Sequence, residues 1–175
     1  LYEAIESCAD LLENFGGHVY AAGLTLKESN LGEFVQRVDA FIGEKITQDM
    51  LTPVTQIDAR LEFSQITPKF FRLLKQFQPF GPGNGNPVFL TENVSDGGNG
   101  RKVGAGGVHM KLDLIDEAQP FHQIPAIAFN MAGFYDYIKA GNPFDICYSI
   151  VENYYRGNST LQLRIKDIKE REEFI

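Results

Sequence analysis

The amino-acid sequence predicts an α+β chain in two parts: a partial α/β unit over residues 1–52, then a small closed β-barrel over residues 53–175. Three observations predict it. Apolar residues recur at three- and four-residue spacing through most of the first fifty residues, as on one face of a helix. Beyond Pro53 the pattern changes to short apolar and β-branched runs separated by glycine-rich turns. The charge also divides: of 16 Lys and Arg and 23 Asp and Glu, three basic and nine acidic residues precede Ile57, a balance of −6 out of a net −7. Phosphate recognition depends on local basic clusters, so the near-neutral second part can still carry a binding face.

In chain order, Leu1 to Phe15 reads as a helix, with Ile5, Cys8, Ala9, Leu12 and Phe15 on one face and Gly16 and Gly17 ending it. AGLTLK alternates as a short strand. Ser29 or Asn30 can cap a second helix, with Glu33 three positions beyond Asn30 and a stripe of Leu31, Phe34, Val35, Val38, Phe41 and Ile42. Such a unit has one open apolar side and is expected to complete a larger α/β domain. The chain begins with Leu1 and reads as helix from its first residues, so it is expected to be part of something longer.

After Pro53, VTQIDARLEF reads as a strand, and Thr67 to Phe77 as a short helix with Phe70, Phe71, Leu74 and Phe77 on one face. PFGPGNGNPVF is too rich in Gly, Pro and Asn for regular structure, and its expected role is to join helix to barrel. Five strand signals follow: VFLTENV, VHMKLDLI, IPAIAFN, FDICYSIVENYY and TLQLRIKDI, with the helical insert AGFYDYIKA before the fourth. In the last, Leu161, Leu163 and Ile165 point one way while Gln162, Arg164 and Lys166 point the other. GGNGRKVGAGG reads as a flexible loop carrying Arg101 and Lys102. Five strands with one helix suit a closed barrel of the OB type better than a sandwich.

Composition sets further bounds. Hydrophobic residues make up 43% and charged residues 22%, as in ordinary globular proteins, which excludes disorder as the main state. There is no apolar run of membrane-spanning length and no signal-peptide pattern, so a cytoplasmic location is expected. Cys8 and Cys147 lie far apart in apolar surroundings and read as reduced packing residues.

The stretch GGHVYAAG, Gly16 to Gly23, has two readings. Glycines let another group approach the backbone, consecutive N–H groups form a concavity for phosphate oxygens, and His18 can donate a hydrogen bond at its edge. Alternatively Gly16 or Gly17 is a helix C-cap, His18 a turn residue, and Ala21, Ala22 and Gly23 allow close packing. The spacing matches neither GxGxxG nor GK[ST].

GGHVYAAG resembles the GGHxxAAG signature of the DHH-associated domain of DHH-type phosphoesterases, and LTLKESNLGEFVQRV fits the strand and final helix of that domain. IDARLEFSQIT, LLKQFQPFGPGNGNPVF, VGAGGVHMKL, AIAFN, FDICYSIVEN and LQLRIKDI together resemble the C-terminal OB-type domain of the RecJ family of bacterial single-strand-specific exonucleases. The resemblance implies an enzyme that degrades single-stranded DNA from its 5′ end in repair and recombination. It implies Mn²⁺ or Mg²⁺ held by Asp and His of an N-terminal DHH domain on the same chain, and no metal on these 175 residues. Gly16, Gly17 and His18 would then contact phosphate across the cleft from the metals, with Ala21, Ala22 and Gly23 matching the end of the signature. His18 would complete the catalytic cleft. These residues alone are expected to be inactive, with single-stranded DNA as partner and a single-strand-binding protein as a further candidate.

For the barrel, binding a single strand needs a basic groove and aromatic faces. The candidates are Arg101, Lys102 and Lys111 around the glycine-dense loop, Arg164 and Lys166 on the last strand, and Tyr154, Tyr155 and Arg156 at a strand end. Exposed Arg and Lys often only solvate a strand, and strand-end tyrosines often pack half-buried. No Asp-His-His run is present, and His109 and His122 read as strand-end or surface residues. Two other functions compete: an OB-type module that binds nucleic acid or protein without hydrolysis, and a DHH phosphodiesterase of short oligonucleotides or cyclic dinucleotides.

Overall fold

The computed structural model describes residues 1–18, 20–116, 119–155 and 157–171, excluding the side chains of Gln119, Pro120, Phe121 and Tyr155. Its contacts divide the chain into two compact units, Leu1–Val54 and Thr55–Ile175. Among the described residues no helix is long and apolar enough to cross a membrane.

In the first unit, α1 covers Tyr2–Glu6, and a 3-10 turn at Ala9–Leu11 leads into β1, Leu12–His18. β1 pairs antiparallel with β2, Ala21–Leu26, so the expected helix through Phe15 stops at Glu6. The helical spacing of Leu12 and Phe15 is overridden because the ladder satisfies the backbone of Asn14 to His18, where two glycines make a helix unfavourable. Ala4, Ile5 and Cys8 form a small buried cluster.

α2, Leu31–Lys45, forms where its stripe predicts, but Asn30 does not cap it with its side chain. The Asn30 amide instead donates to the Leu11 carbonyl at 3.0 Å, tying the start of the helix to the 3-10 turn. Arg37 bridges Glu33 and Asp10, and Lys45 reaches Glu3 at 2.8 Å. The stripe itself stays partly uncovered, with Leu31, Val35 and Ile42 between 39% and 50% exposed. A one-turn helix, α3, follows at Gln48–Leu51.

The second unit is an OB-type barrel. β3, Ala59–Arg60, is the part of VTQIDARLEF that pairs, parallel to β4, Phe89–Asp96. The extended run ends at a 3-10 turn, Phe63–Gln65, where the Phe63 N–H donates to the buried Asp116 carboxylate at 3.1 Å. α4, Pro68–Leu74, is capped by the Thr67 hydroxyl, which accepts the Phe70 N–H. In the following loop the Asn84 amide donates to the Phe77 and Pro79 carbonyls at 2.8 and 2.9 Å, so the glycine- and proline-rich turn is internally tied.

Five more strands and one helix complete the barrel: β5, Arg101–Val103; β6, His109–Asp116; β7, Gln119–Ala128; α5, Tyr135–Lys139; β8, Phe144–Tyr155; and β9, Asn158–Glu170. The sheet order is β3-β4-β8-β9-β7-β6-β5, and an additional β4–β6 pairing closes β4, β8, β9, β7 and β6 into a ring. β7 and β9 run parallel and the other ring pairs antiparallel.

The glycine-dense loop differs from expectation. Its centre is strand β5, because positive-φ glycines on both sides, Gly98 and Gly104 among them, reverse the chain. The Asp96 carboxylate holds the start of this hairpin by accepting the N–H groups of Gly98, Gly100 and Asp113.

Closure depends on β4 gaining a second neighbour. Phe89–Thr91 pair with β8, the register shifts before Val94, Val94 pairs with Phe144 of β8, and Val94–Asp96 pair with β6. At the shift Asn93 takes φ +59° and donates its N–H to the buried Asp145 carboxylate at 2.9 Å. Val94, Met110, Leu114, Phe144, Ile146 and Leu163 fill the interior and are fully buried. Tyr148 extends this core; burial pushes its phenol up to about 12, and its hydroxyl meets that of Thr91 at 2.8 Å.

Removing the Asp145 carboxylate would leave the bulge N–H without its acceptor. Asp145→Ala is expected to lower stability by about 2 kcal/mol in urea denaturation. Asn93→Gly, which suits a positive φ, is expected to change it by less than about 1 kcal/mol.

Candidate nucleic-acid interface

Gly16, Gly17 and His18 lie near the end of the β1–β2 hairpin, not at a helix terminus. The register sets Gly16 opposite Gly23, Gly17 opposite Ala22 and His18 opposite Ala21. A Cβ added at Gly16 or Gly23 meets nothing within 4 Å, so this cross-strand pair is a window of bare backbone. Gly17 is glycine for the opposite reason: a Cβ there would lie 2.3 Å from the Ala21 carbonyl oxygen and 2.5 Å from the Ala22 Cα.

The ring of His18 is exposed, and its Nδ1 accepts the Tyr20 N–H at 3.2 Å. An accepting Nδ1 puts the neutral ring's proton on Nε2, so the outward nitrogen is a donor suited to an oxyanion. Gly17 and His18 border a groove of about 750 Å³ whose other walls include Tyr2, Phe41, Lys45 and Met50.

On the barrel, cross-strand register collects one set of cations. Arg101 faces Lys111, Lys111 faces Ile127, and Ile127 faces Arg164, so the three cations share one row across β5, β6, β7 and β9. The alternate residues Met110, Leu112, Ala126, Ala128, Leu163 and Ile165 are buried in the interior, which places this row on the outer surface. Lys166 lies two residues along β9, exposed at a register shift of that strand. Among the described residues none of these four cations forms an ion pair.

The other expected residues separate from this row. Lys102 pairs with Met110 and projects to the opposite side of β5, where its Nζ lies 4.9 Å from the Tyr135 ring centroid. Tyr154 alternates away from Asn153 and Val151 on β8 and joins a cluster with Glu152, Ser159 and Lys75. Lys75 first, then Ser159 and Tyr154, hold the Glu152 carboxyl down at about 2, and the hydrogen bond to Glu152 pushes the Tyr154 phenol up. The Tyr154 ring remains 71% exposed, but in a different setting from Arg164. Arg156 and the Tyr155 side chain lie outside the described residues.

Two residues beside the row were not among the expected site residues. Phe129, just beyond β7, is 43% exposed; the Arg164 guanidinium carbon lies 5.2 Å from its ring centroid and the His109 ring 5.1 Å away, edge-on. Strict alternation in VHMKLDLI, with Met110, Leu112 and Leu114 inward, is the signal that places His109 outward beside Lys111. Among the described residues no group of three or more His, Cys, Asp or Glu side chains could hold a metal ion.

Comparison with known proteins agrees with the barrel topology. The RecJ OB domain family model matches residues 57–167. The single-stranded-DNA-specific exonuclease RecJ of Bacillus subtilis is 30% identical over 169 residues, which cover 95% of this chain and 21% of that protein. Its counterpart in Haemophilus influenzae is 26% identical, over 94% of this chain and 28% of that protein. The crystal structure of Thermus thermophilus RecJ in complex with Mn²⁺ superimposes with a TM-score of 0.67 at 24% identity, over 97% of this chain and 24% of that one. The chain thus spans well under a third of the length of these relatives.

Two outcomes test these local structures. Gly17→Ala is expected to cost the hairpin about 2 kcal/mol, read as lost amide-exchange protection in β1 and β2. Glu152 titrates below the ordinary carboxyl range, so its contact with Lys75 is fully present above about pH 4.5 and is lost as pH falls through about 2. A carboxyl-carbon NMR titration is expected to show that midpoint, and Lys75→Ala to move it back up.

Proposed function

Because the chain belongs to the RecJ OB domain family, we propose that it is the C-terminal part of a 5′-to-3′ exonuclease of single-stranded DNA acting in repair and recombination. Its OB barrel holds the strand and its GGH hairpin contacts phosphate. Hydrolysis is assigned to an N-terminal DHH domain of the parent enzyme bearing Mn²⁺ or Mg²⁺. A cytoplasmic setting belongs to the same reading, and these residues alone bind without cleaving.

The observation that carries the reading is the row of Arg101, Lys111 and Arg164, three exposed cations brought into register from separate strands and left without carboxylate partners among the described residues. A polyanion with regularly spaced phosphates is a ligand that such a row fits, because each contact releases a counterion. In the hairpin, Nε2–H of His18 beside the bare Gly16–Gly23 pair supports a phosphate contact of the same kind.

Fluorescence anisotropy with labelled oligonucleotides tests the proposal. Single strands are expected to bind the chain better than duplex, with affinity falling as salt rises. Replacing Arg101 and Lys111 together by Ala is expected to reduce the slope of log K against log salt by roughly 1 to 2. Equal binding of both forms, or no binding at low salt, would remove the barrel from the strand's path.

A further inference from the structure

Phe129 is an apolar ring left 43% exposed beside Arg164, although the barrel interior a few residues away is closed. Three features hold its surroundings. The His109 Nδ1 accepts the Asn130 N–H at 3.0 Å, which fixes the histidine and leaves Nε2 as the donor of the neutral ring. Gly104 lies close to the His109 ring, since a Cβ there would come within 2.8 Å of its Cδ2. The Arg164 guanidinium covers the phenyl ring while forming no ion pair among the described residues. An exposed phenyl ring with a guanidinium over it and a fixed imidazole at its edge is suited to a flat, electron-rich partner.

We propose that Phe129 is a stacking station for one unpaired nucleobase, with His109 bordering the base and Arg164 shifting from the ring to the adjoining phosphate. The inference rests on the reading that this face carries a single strand, and adds that the face holds bases as well as phosphates. The charge row alone would accept any polyanion, an acidic peptide included. The ring at its edge favours a ligand that alternates anionic groups with aromatic planes, as a single nucleic-acid strand does. In a duplex the bases are stacked on one another, so the same ring would also discriminate between the two forms.

The experiment compares two oligonucleotides of equal length and phosphate number, an oligothymidylate and an oligomer of abasic sites, binding to the 175-residue chain and two variants. Phe129→Leu is expected to weaken oligothymidylate binding about tenfold, to leave abasic binding unchanged, and to leave the salt slope of both unchanged. Phe129→Trp, which restores an aromatic face, is expected to recover oligothymidylate binding. If Phe129→Leu weakens both oligomers equally, or neither, while salt-dependent binding persists, the stacking station is overturned and the phosphate-binding face stands. If the unsubstituted chain binds neither oligomer, the reading of the face falls and the stacking station with it.

Discussion

The barrel depends on one backbone event, the register shift of β4 at Asn93. Before it the strand pairs with β8; beyond it Val94 pairs with both Phe144 of β8 and Asp116 of β6, and the ring closes. Asn93 makes the shift at φ +59° with its N–H held by Asp145. The same shift sets where β4 ends. Asp96, its last residue, accepts three backbone N–H groups and so starts the hairpin that carries Arg101. A buried carboxylate holding the middle of β4 and a turn carboxylate at its end thus fix the strand from which the hairpin of Arg101 departs.

The two units share a chemical device on unrelated scaffolds. In each, an imidazole has its Nδ1 occupied by a nearby backbone N–H, Tyr20 for His18 and Asn130 for His109. In each, a glycine lies where a side chain would collide with the neighbouring structure, Gly17 against β2 and Gly104 against the imidazole itself. A backbone bond at Nδ1 leaves Nε2 as the donor of the neutral ring. Among the described residues neither histidine is joined by the further donors that a metal site needs.

Charge follows a matching division. Where carboxylates stand near cations they neutralise them, as Asp10 and Glu33 do for Arg37 and Glu152 for Lys75. Along Arg101, Lys111 and Arg164, the register leaves the cations with Ile127 between Lys111 and Arg164 and, among the described residues, no carboxylate ion-pair partner. The chain's overall acidity therefore coexists with a surface that attracts anions at short range, where the Debye length confines such effects.

Much was legible from residue order alone. The stripe of α2, the start of α4, the five long strands and the inward–outward alternation of β9 are local consequences of side-chain type and period, and they appear where those rules place them. Periodicity misled at Leu12 to Phe15, where a cross-strand ladder outweighed a helical spacing, and at Val54 to Phe63, where a long-range bond from Phe63 to Asp116 ended the extended run. Composition likewise concealed β5 within a glycine-dense stretch. The candidate site divides along the same line: sequence determined which residues are cationic, bare or aromatic. Tertiary structure decided that Arg101 and Lys102, adjacent in the chain, face opposite ways, that Tyr154 belongs with Glu152, and that Phe129 joins Arg164. Those outcomes depend on strand register, and register is set by contacts between residues far apart in the chain.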